Sequence, residues 1–333
     1  AAVLLGALLW AVTRSNAKVE QAASAAAEGS IPLSSFAAED LEQIEYTFNG
    51  ETYTLQYSGG SWQLAQDPAY HLDESACNTM RTALMALNAK RSLTPQAGED
   101  YGFAEPALTI EVTAAGETDT YTFGASNTMT GDLYVRKNNS DVIYTVSGTK
   151  TACFELTRAE LFGAFNPAGL TASEIEAVSY TLADGETVSL KAMSEPVESA
   201  GSGTSEAASD STAYQTVWRL ENDPAADLDT DKTDAILTAL SSYVSGQITP
   251  ADGADLAATG FDTPLVTVQV TTAEKTVTLR YASGMDGYYL MVEGDGSLYT
   301  VDQSTVQALL LPENAGKIHL PSAVQYAGSP SPP

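Results

Sequence analysis

The chain has 333 residues, 44% of them apolar, and its 43 acidic against 15 basic side chains give a formal charge of -28. That length suits about two ordinary domains, and the charge repels phosphate backbones and anionic headgroups, so nucleic acid is excluded as an expected partner. The acids are scattered with no long block, the pattern of a solvated surface, and partners with basic faces stay open.

At the amino terminus, Ala1 to Val12 is an unbroken apolar run, followed by Arg14 and Lys18. Twelve helical residues rise only about 18 Å against a hydrocarbon core of about 30 Å. Residues 1–14 therefore read as part of a truncated transmembrane or signal segment, and 15–42 as an Ala-rich juxtamembrane stretch. Ala23-Ser-Ala25 would suit signal cleavage, which keeps a removed leader open. The first cysteine is Cys77, which disfavours a lipoprotein anchor. The expected location is the cell membrane, with a single span and the body extracytoplasmic, although Arg14 and Lys18 then stand on the outer side, against the positive-inside tendency.

From Gln43 onward the sequence runs through a set of landmarks and then repeats them in order. Trp62-Gln-Leu64 returns as Trp218-Arg-Leu220, Thr94-Pro95 as Thr249-Pro250, Gly102-Phe103-Ala-Glu-Pro106 as Gly260-Phe261-Asp-Thr-Pro264, and Tyr144-Thr-Val146 as Tyr299-Thr-Val301. The separations stay between 155 and 158 positions, the mark of a tandem duplication. The first module is read over 43–165 and the second over 174–312, with a Pro/Ser-rich tail over 313–333.

Within one copy, Ile44 to Phe48 and Tyr53 to Tyr57 alternate polar and apolar residues on either side of Asn49-Gly50, which predicts a hairpin. Trp62 to Leu64 starts a third strand. Asp73 is placed to cap a helix whose Ala76, Met80, Leu84 and Leu87 share a face, and Asp229, Ile236, Leu240 and Tyr243 repeat the set. A short extended piece, the Gly-Phe-x-x-Pro turn and a strand at Leu108 to Val112 come next. Strands follow at 120–123, 133–136 and 142–146, and a short helix near Lys150 to Leu156 closes the unit. The counterparts are Val266 to Val270, 277–281, 288–292, 298–301 and 303–311. About seven antiparallel strands with one principal helix make each copy an α+β module.

Residues 194–213 are rich in Ser, Gly, Glu and Ala and have the composition of a linker. The repeat register places them elsewhere. Leu55 precedes Trp62 closely while Leu190 stands far ahead of Trp218, so the segment is predicted as a disordered insertion between two strands of the second module. The junction between modules falls at 163–173, where Pro167 and Gly169 interrupt structure.

No residue set amounts to a reaction centre, and no catalytic, cofactor-binding or metal-binding residue is assigned. Ser147-Gly-Thr-Lys150 fits Ser-x-x-Lys, but Lys-Thr-Gly is absent downstream and the second copy has Asp302-Gln-Ser-Thr305, so a strand-to-helix turn is the reading. Asp227-Leu-Asp229-Thr-Asp231 opens like a calcium loop and then places Lys232 and Thr238 where Gly and Glu belong, so helix capping is favoured. Leu311-Pro-Glu-Asn-Ala315 lacks the Thr-Gly of a sortase signal. His71 and His319 do not occupy matching positions and have no cysteine or histidine cluster beside them to make a zinc site. Cys77 and Cys153 occur only in the first copy, so the fold does not need a bridge between them; pairing and burial as small hydrophobes both stay open. Trp62, Trp218, Phe103 and Phe261 are read as packing residues, with a stacking platform as the alternative.

The apolar start, the Trp-x-Leu strand, the helix, the Tyr101-Gly-Phe-Ala-Glu-Pro106 turn and the later Tyr-x-Val strand together resemble the bacterial family catalogued as domain of unknown function 4340. The likeness spans both copies, from Gln43 to Leu311. Phe follows the turn glycine where the family usually has Leu, and Thr259 replaces the turn tyrosine in the second copy. The resemblance implies an envelope protein with one amino-terminal span, often encoded beside export or gliding-type ABC transporter components, and it supplies no functional residues. The expectation is a non-enzymatic accessory protein of an envelope complex. The alternative is a cell-surface binding module for cell-wall glycan or peptide, using a groove between the modules.

Overall fold

The computed structural model describes residues 31–310 apart from 184, 186, 198–212, 227 and 251–255. Two compact units divide the chain between Gly163 and Ala164. The expected amino-terminal segment 1–14, residues 15–30 of the juxtamembrane stretch, the tail 313–333 and most of the insertion lie outside the described residues.

The first unit contains β1 (Ile31–Pro32), β2 (Leu41–Phe48), β3 (Glu51–Ser58), β4 (Ser61–Leu64), helix α1 (Glu74–Met85), β5 (Asn88–Ala89), β6 (Arg91–Leu93), β7 (Leu108–Ala114), β8 (Glu117–Ser126), β9 (Asp132–Lys137) and β10 (Ile143–Ser147). The second contains β11 (Ile175–Leu182), β12 (Thr187–Pro196), β13 (Tyr214–Leu220), α2 (Thr230–Leu240), β14 (Gly246–Ile248), α3 (Leu256–Thr259), β15 (Val266–Thr272), β16 (Thr276–Ser283), β17 (Tyr288–Val292), β18 (Leu298–Val301) and α4 (Gln303–Leu310). Each unit builds one eight-stranded sheet, and the orders correspond strand for strand: β4-β3-β2-β7-β8-β9-β10-β6 and β13-β12-β11-β15-β16-β17-β18-β14. Every pairing between named strands is antiparallel. In both, the chain leaves one sheet edge at the tryptophan strand, passes through the principal helix, and re-enters at the opposite edge.

Local chemistry accounts for the turns. Asn49 and Gly50 both take positive φ, 51° and 83°, the hairpin geometry whose twist matches flanking strands. Asp73 accepts hydrogen bonds from the amides of Ser75 and Ala76, and Asp229 accepts one from Lys232, so each principal helix starts on an aspartate cap. Cys77, Met80 and Leu84 on α1 pack with Ile44, Tyr46, Leu55, Ile110, Tyr121 and Phe123 into the first core. In the second unit Ile236, Leu237 and Leu240 are buried, as are Val178, Tyr180, Leu190, Val268 and Tyr281 on the sheet.

The repeated turn glycines are held by geometry. Gly102 has φ 78°, and a Cβ on it would meet the Ala125 amide nitrogen at 2.5 Å. Gly260 has φ 80°, and a Cβ there would run into the Ser283 carbonyl. In each copy the turn lies directly on the end of the strand equivalent to β8, which leaves no room for a side chain.

Several expectations need correction. Residues ahead of Gln43 already pack on the first unit: β1 pairs with β5, Leu33 is buried, and its carbonyl accepts from Lys137 Nζ at 2.8 Å and Tyr121 Oη at 3.0 Å. Alanine-rich flanking composition hides these few apolar anchors. The junction residues behave alike. Ala168 and Leu170 are buried, Asn166 donates to the Leu240 carbonyl, and Lys275 donates to that of Ala168. Ser194 to Pro196 are strand, because β12 pairs with β13 as far as Pro196 opposite Tyr214. Tyr243 is 69% exposed and Val244 is buried in its stead, a one-residue slip after the helix end. The eighth strand in each sheet is the short extended piece, β6 or β14. The closing segment of the first unit is a pair of 3-10 turns at Gly148–Lys150 and Ala152–Phe154 where the second unit has α4.

Candidate functional site

The chemistry-bearing residues singled out in the sequence do not converge. Ser147 Oγ shares a hydrogen bond of 3.0 Å with Thr149 Oγ1 on an exposed turn. Asp229 serves as the helix cap, and Asp227 and His319 lie outside the described residues. His71 Nδ1 lies 2.9 Å from the Gly163 carbonyl. Among the described residues no cluster of three or more His, Cys, Asp or Glu could hold a metal ion. Cys77 and Cys153 are free thiols. Burial pushes the Cys77 thiol up to about 12, and it raises that of Cys153 as well, which leaves both poor nucleophiles. Among the described residues no helix is long and apolar enough to cross a membrane.

The two tryptophans are where the copies part. Trp62 is 6% exposed: its ring tilts against Tyr57 at 4.9 Å, its Nε1 donates to Asn78 Oδ1, and Arg81 covers Tyr57. Trp62 faces Tyr57 across the strand pair, and Trp218 occupies the same register opposite Ala192. The helix positions matching Asn78 and Arg81 are Asp234 and Leu237. With the tyrosine reduced to a methyl, Trp218 stays half-buried and lines a groove of about 580 Å³ between β13 and α2. Thr216, Ser173, Asp234, Leu237 and Thr238 line it too. Packing is thus the role of Trp62, while Trp218 meets an open concavity. Phe103 lies under the Arg136 guanidinium at 4.2 Å, and Phe261 is half-buried.

Strand edges differ in the same region. In β4 the main-chain groups of Trp62 and Leu64 point away from the sheet, because Ala65 and its alternate neighbours bond to β3. Glu74 Oε1 accepts from the Trp62 amide at 2.9 Å, and the Leu64 carbonyl accepts from the Asp67 amide at 3.0 Å. Further along, Gln66 caps the exposed edge of β3 by accepting from the Thr54 amide and donating to the Thr52 carbonyl. The second copy has Thr230 and Asn222 in place of Glu74 and Gln66. Along β13, bonds from Val197 to Ala213 and from Glu221 to Ser189 fix the odd-numbered residues as the ones facing β12. Tyr214, Thr216, Trp218 and Leu220 consequently present their amides and carbonyls outward. Among the described residues, none caps the main chain of Thr216 or Trp218. Aligning the two copies in sequence exposes this signal as the losses of Tyr57, Glu74 and Gln66, but only once the edge position of β13 is known.

The fold defines a protein of tandem antiparallel-sheet modules, each with one principal helix between its tryptophan strand and the opposite sheet edge. The sequence model of the family described as Domain of unknown function (DUF4340) matches residues 62–217 and 218–315, most of the chain, and the protein belongs to that family. Both matched segments open on the repeated tryptophan, so the family frame starts at β4 and β13, later in the module than the first strand of each sheet. No curated protein matches the chain. No solved structure matches it either.

Proposed function

We propose that this chain is a non-enzymatic, extracytoplasmic accessory protein, tethered by its apolar amino-terminal segment and acting through protein contacts within an envelope complex. ABC-type transporter components are the partner class that the family resemblance suggests. The observation that supports a contact role is the divergence between copies: the first keeps its tryptophan edge capped by Glu74, Asp67 and Gln66, while the second offers a seven-residue edge strand beside a groove. Selection for a closed, self-sufficient fold would favour the first arrangement in both. In-cell cross-linking of the full chain followed by membrane fractionation tests the proposal. It should yield discrete cross-links to envelope proteins in the membrane fraction, and a monodisperse cytosolic protein without cross-links would contradict it.

A second reading is favoured by one feature. Trp218 shares its groove with Ser173, Thr216, Asp234 and Thr238, a half-exposed ring among hydroxyls and a carboxylate that suits a sugar face. Binding of cell-wall glycan fragments, absent in Trp218→Ala, would shift the assignment to a surface binding module.

A further inference from the structure

We infer that β13 is an acceptor edge for an extended, positively charged peptide segment of a partner protein, which adds as a ninth strand to the second sheet and lays alternate side chains into the groove at Trp218. The inference rests on the contact role proposed above and names its site and partner chemistry. Four residues, Tyr214, Thr216, Trp218 and Leu220, turn their main-chain groups outward from β13. Seven residues of strand extend about 23 Å, enough for an added strand of ordinary length. Strand addition at such an edge draws affinity from main-chain hydrogen bonds and selectivity from pockets that take every second side chain. The groove provides that pocket, because Thr216 and Trp218 point their side chains to the α2 side, where Leu237 supplies apolar wall and Asp234 a carboxylate.

The first module serves as the internal control. Its equivalent edge is a four-residue strand on which the outward Trp62 amide donates to Glu74 and the outward Leu64 carbonyl accepts from the Asp67 amide, with Gln66 on the adjoining strand. The opposite edges, β6 and β14, are three residues long and each ends just before a Thr-Pro pair, so they are blunted. Charge selects the occupant. A second copy of this chain would bring another formal charge of -28 against the first, whereas a cationic segment is attracted to the acidic body and to Asp234.

The test uses the full chain and a library of capped nonapeptides in which Val, Leu or Phe alternates with Lys or Thr, with a Glu-for-Lys library as control. Binding is followed by single-amide hydrogen exchange on the parent chain and, separately, by the emission of Trp218 in a background where the other two tryptophans are replaced, Trp10→Phe and Trp62→Phe. The expected result is preferential binding of the lysine library, slowed exchange at Thr216 and Trp218, and no change at Trp62. Thr216→Pro removes an outward donor without touching the ladder to β12 and should weaken binding about tenfold, the order expected for one strand-edge hydrogen bond and its neighbour. Asp234→Lys, a surface change that leaves the strand intact, should lower affinity for the lysine library about threefold to tenfold and raise it for the glutamate library. Several results would overturn the inference. These are no binding by either library, binding that leaves the Thr216 and Trp218 amides exchanging freely, a homodimer abolished by Thr216→Pro, or protection of both amides in the free monomer by a segment of the chain itself. None of these would by itself remove the envelope cross-links expected of an accessory protein, so the two readings fail separately.

Discussion

Tyr46 and Tyr180 occupy the same place in the two sheets and are both fully buried, yet their hydroxyls fare differently. Tyr46 Oη donates to the Leu156 carbonyl at 3.0 Å, while the Tyr180 hydroxyl has no partner among the described residues. Replacing a satisfied buried hydroxyl should cost about 1 kcal/mol, and removing an unsatisfied one should be neutral or stabilising. Urea unfolding is therefore expected to show Tyr46→Phe destabilised and Tyr180→Phe unchanged or improved. Asp119 supplies the pH dependence. Burial tends to raise its carboxyl, but the hydrogen bonds from Lys137 and Asn138 win and hold it below the usual carboxylate range. Because the folded value is depressed, its contribution is present above the ordinary carboxylate range and is lost as pH falls through the folded value. Asp119→Asn should cost about 0.5 to 1 kcal/mol at neutral pH and converge with the parent in strong acid, measured by unfolding midpoints across pH.

Among the elements, the Gly-Phe-x-x-Pro turn offers the sharpest test, because the same constraint acts twice. Gly102→Ala and Gly260→Ala place a side chain at positive φ and against backbone, each at a cost of about 1 to 3 kcal/mol, which parallel thermal unfolding of the two variants measures. The turns, the helix caps and the hairpin at Asn49-Gly50 are legible in the sequence because each depends on one or two residues with a conformational preference of their own. The docked leaders are not. Leu33 and Ala168 are held by partners roughly 100 positions away, Lys137 and Lys275, and no local pattern carries such a contact. The groove falls in the same class: its tryptophan is visible, but its openness comes from Ala192 across the strand and Asp234 on the helix.

For the whole molecule, duplication means that each unit carries its own sheet, helix and core. Residues 31–163 and 164–310 expressed separately should each give a cooperative melt and a β-rich circular dichroism spectrum; loss of cooperative folding in both would contradict two self-contained copies. The halves differ in structure at the tryptophan edge, capped by Glu74, Asp67 and Gln66 in the first and without such caps among the described residues of the second. Single-amide hydrogen exchange on the free full chain addresses that difference most directly. Slow exchange is expected at Trp62, and along β13 an alternation in which Thr216 and Trp218 exchange fast while Gln215, Val217 and Arg219 are protected. Equal protection at Trp62 and Trp218, or no alternation along β13, would contradict that difference.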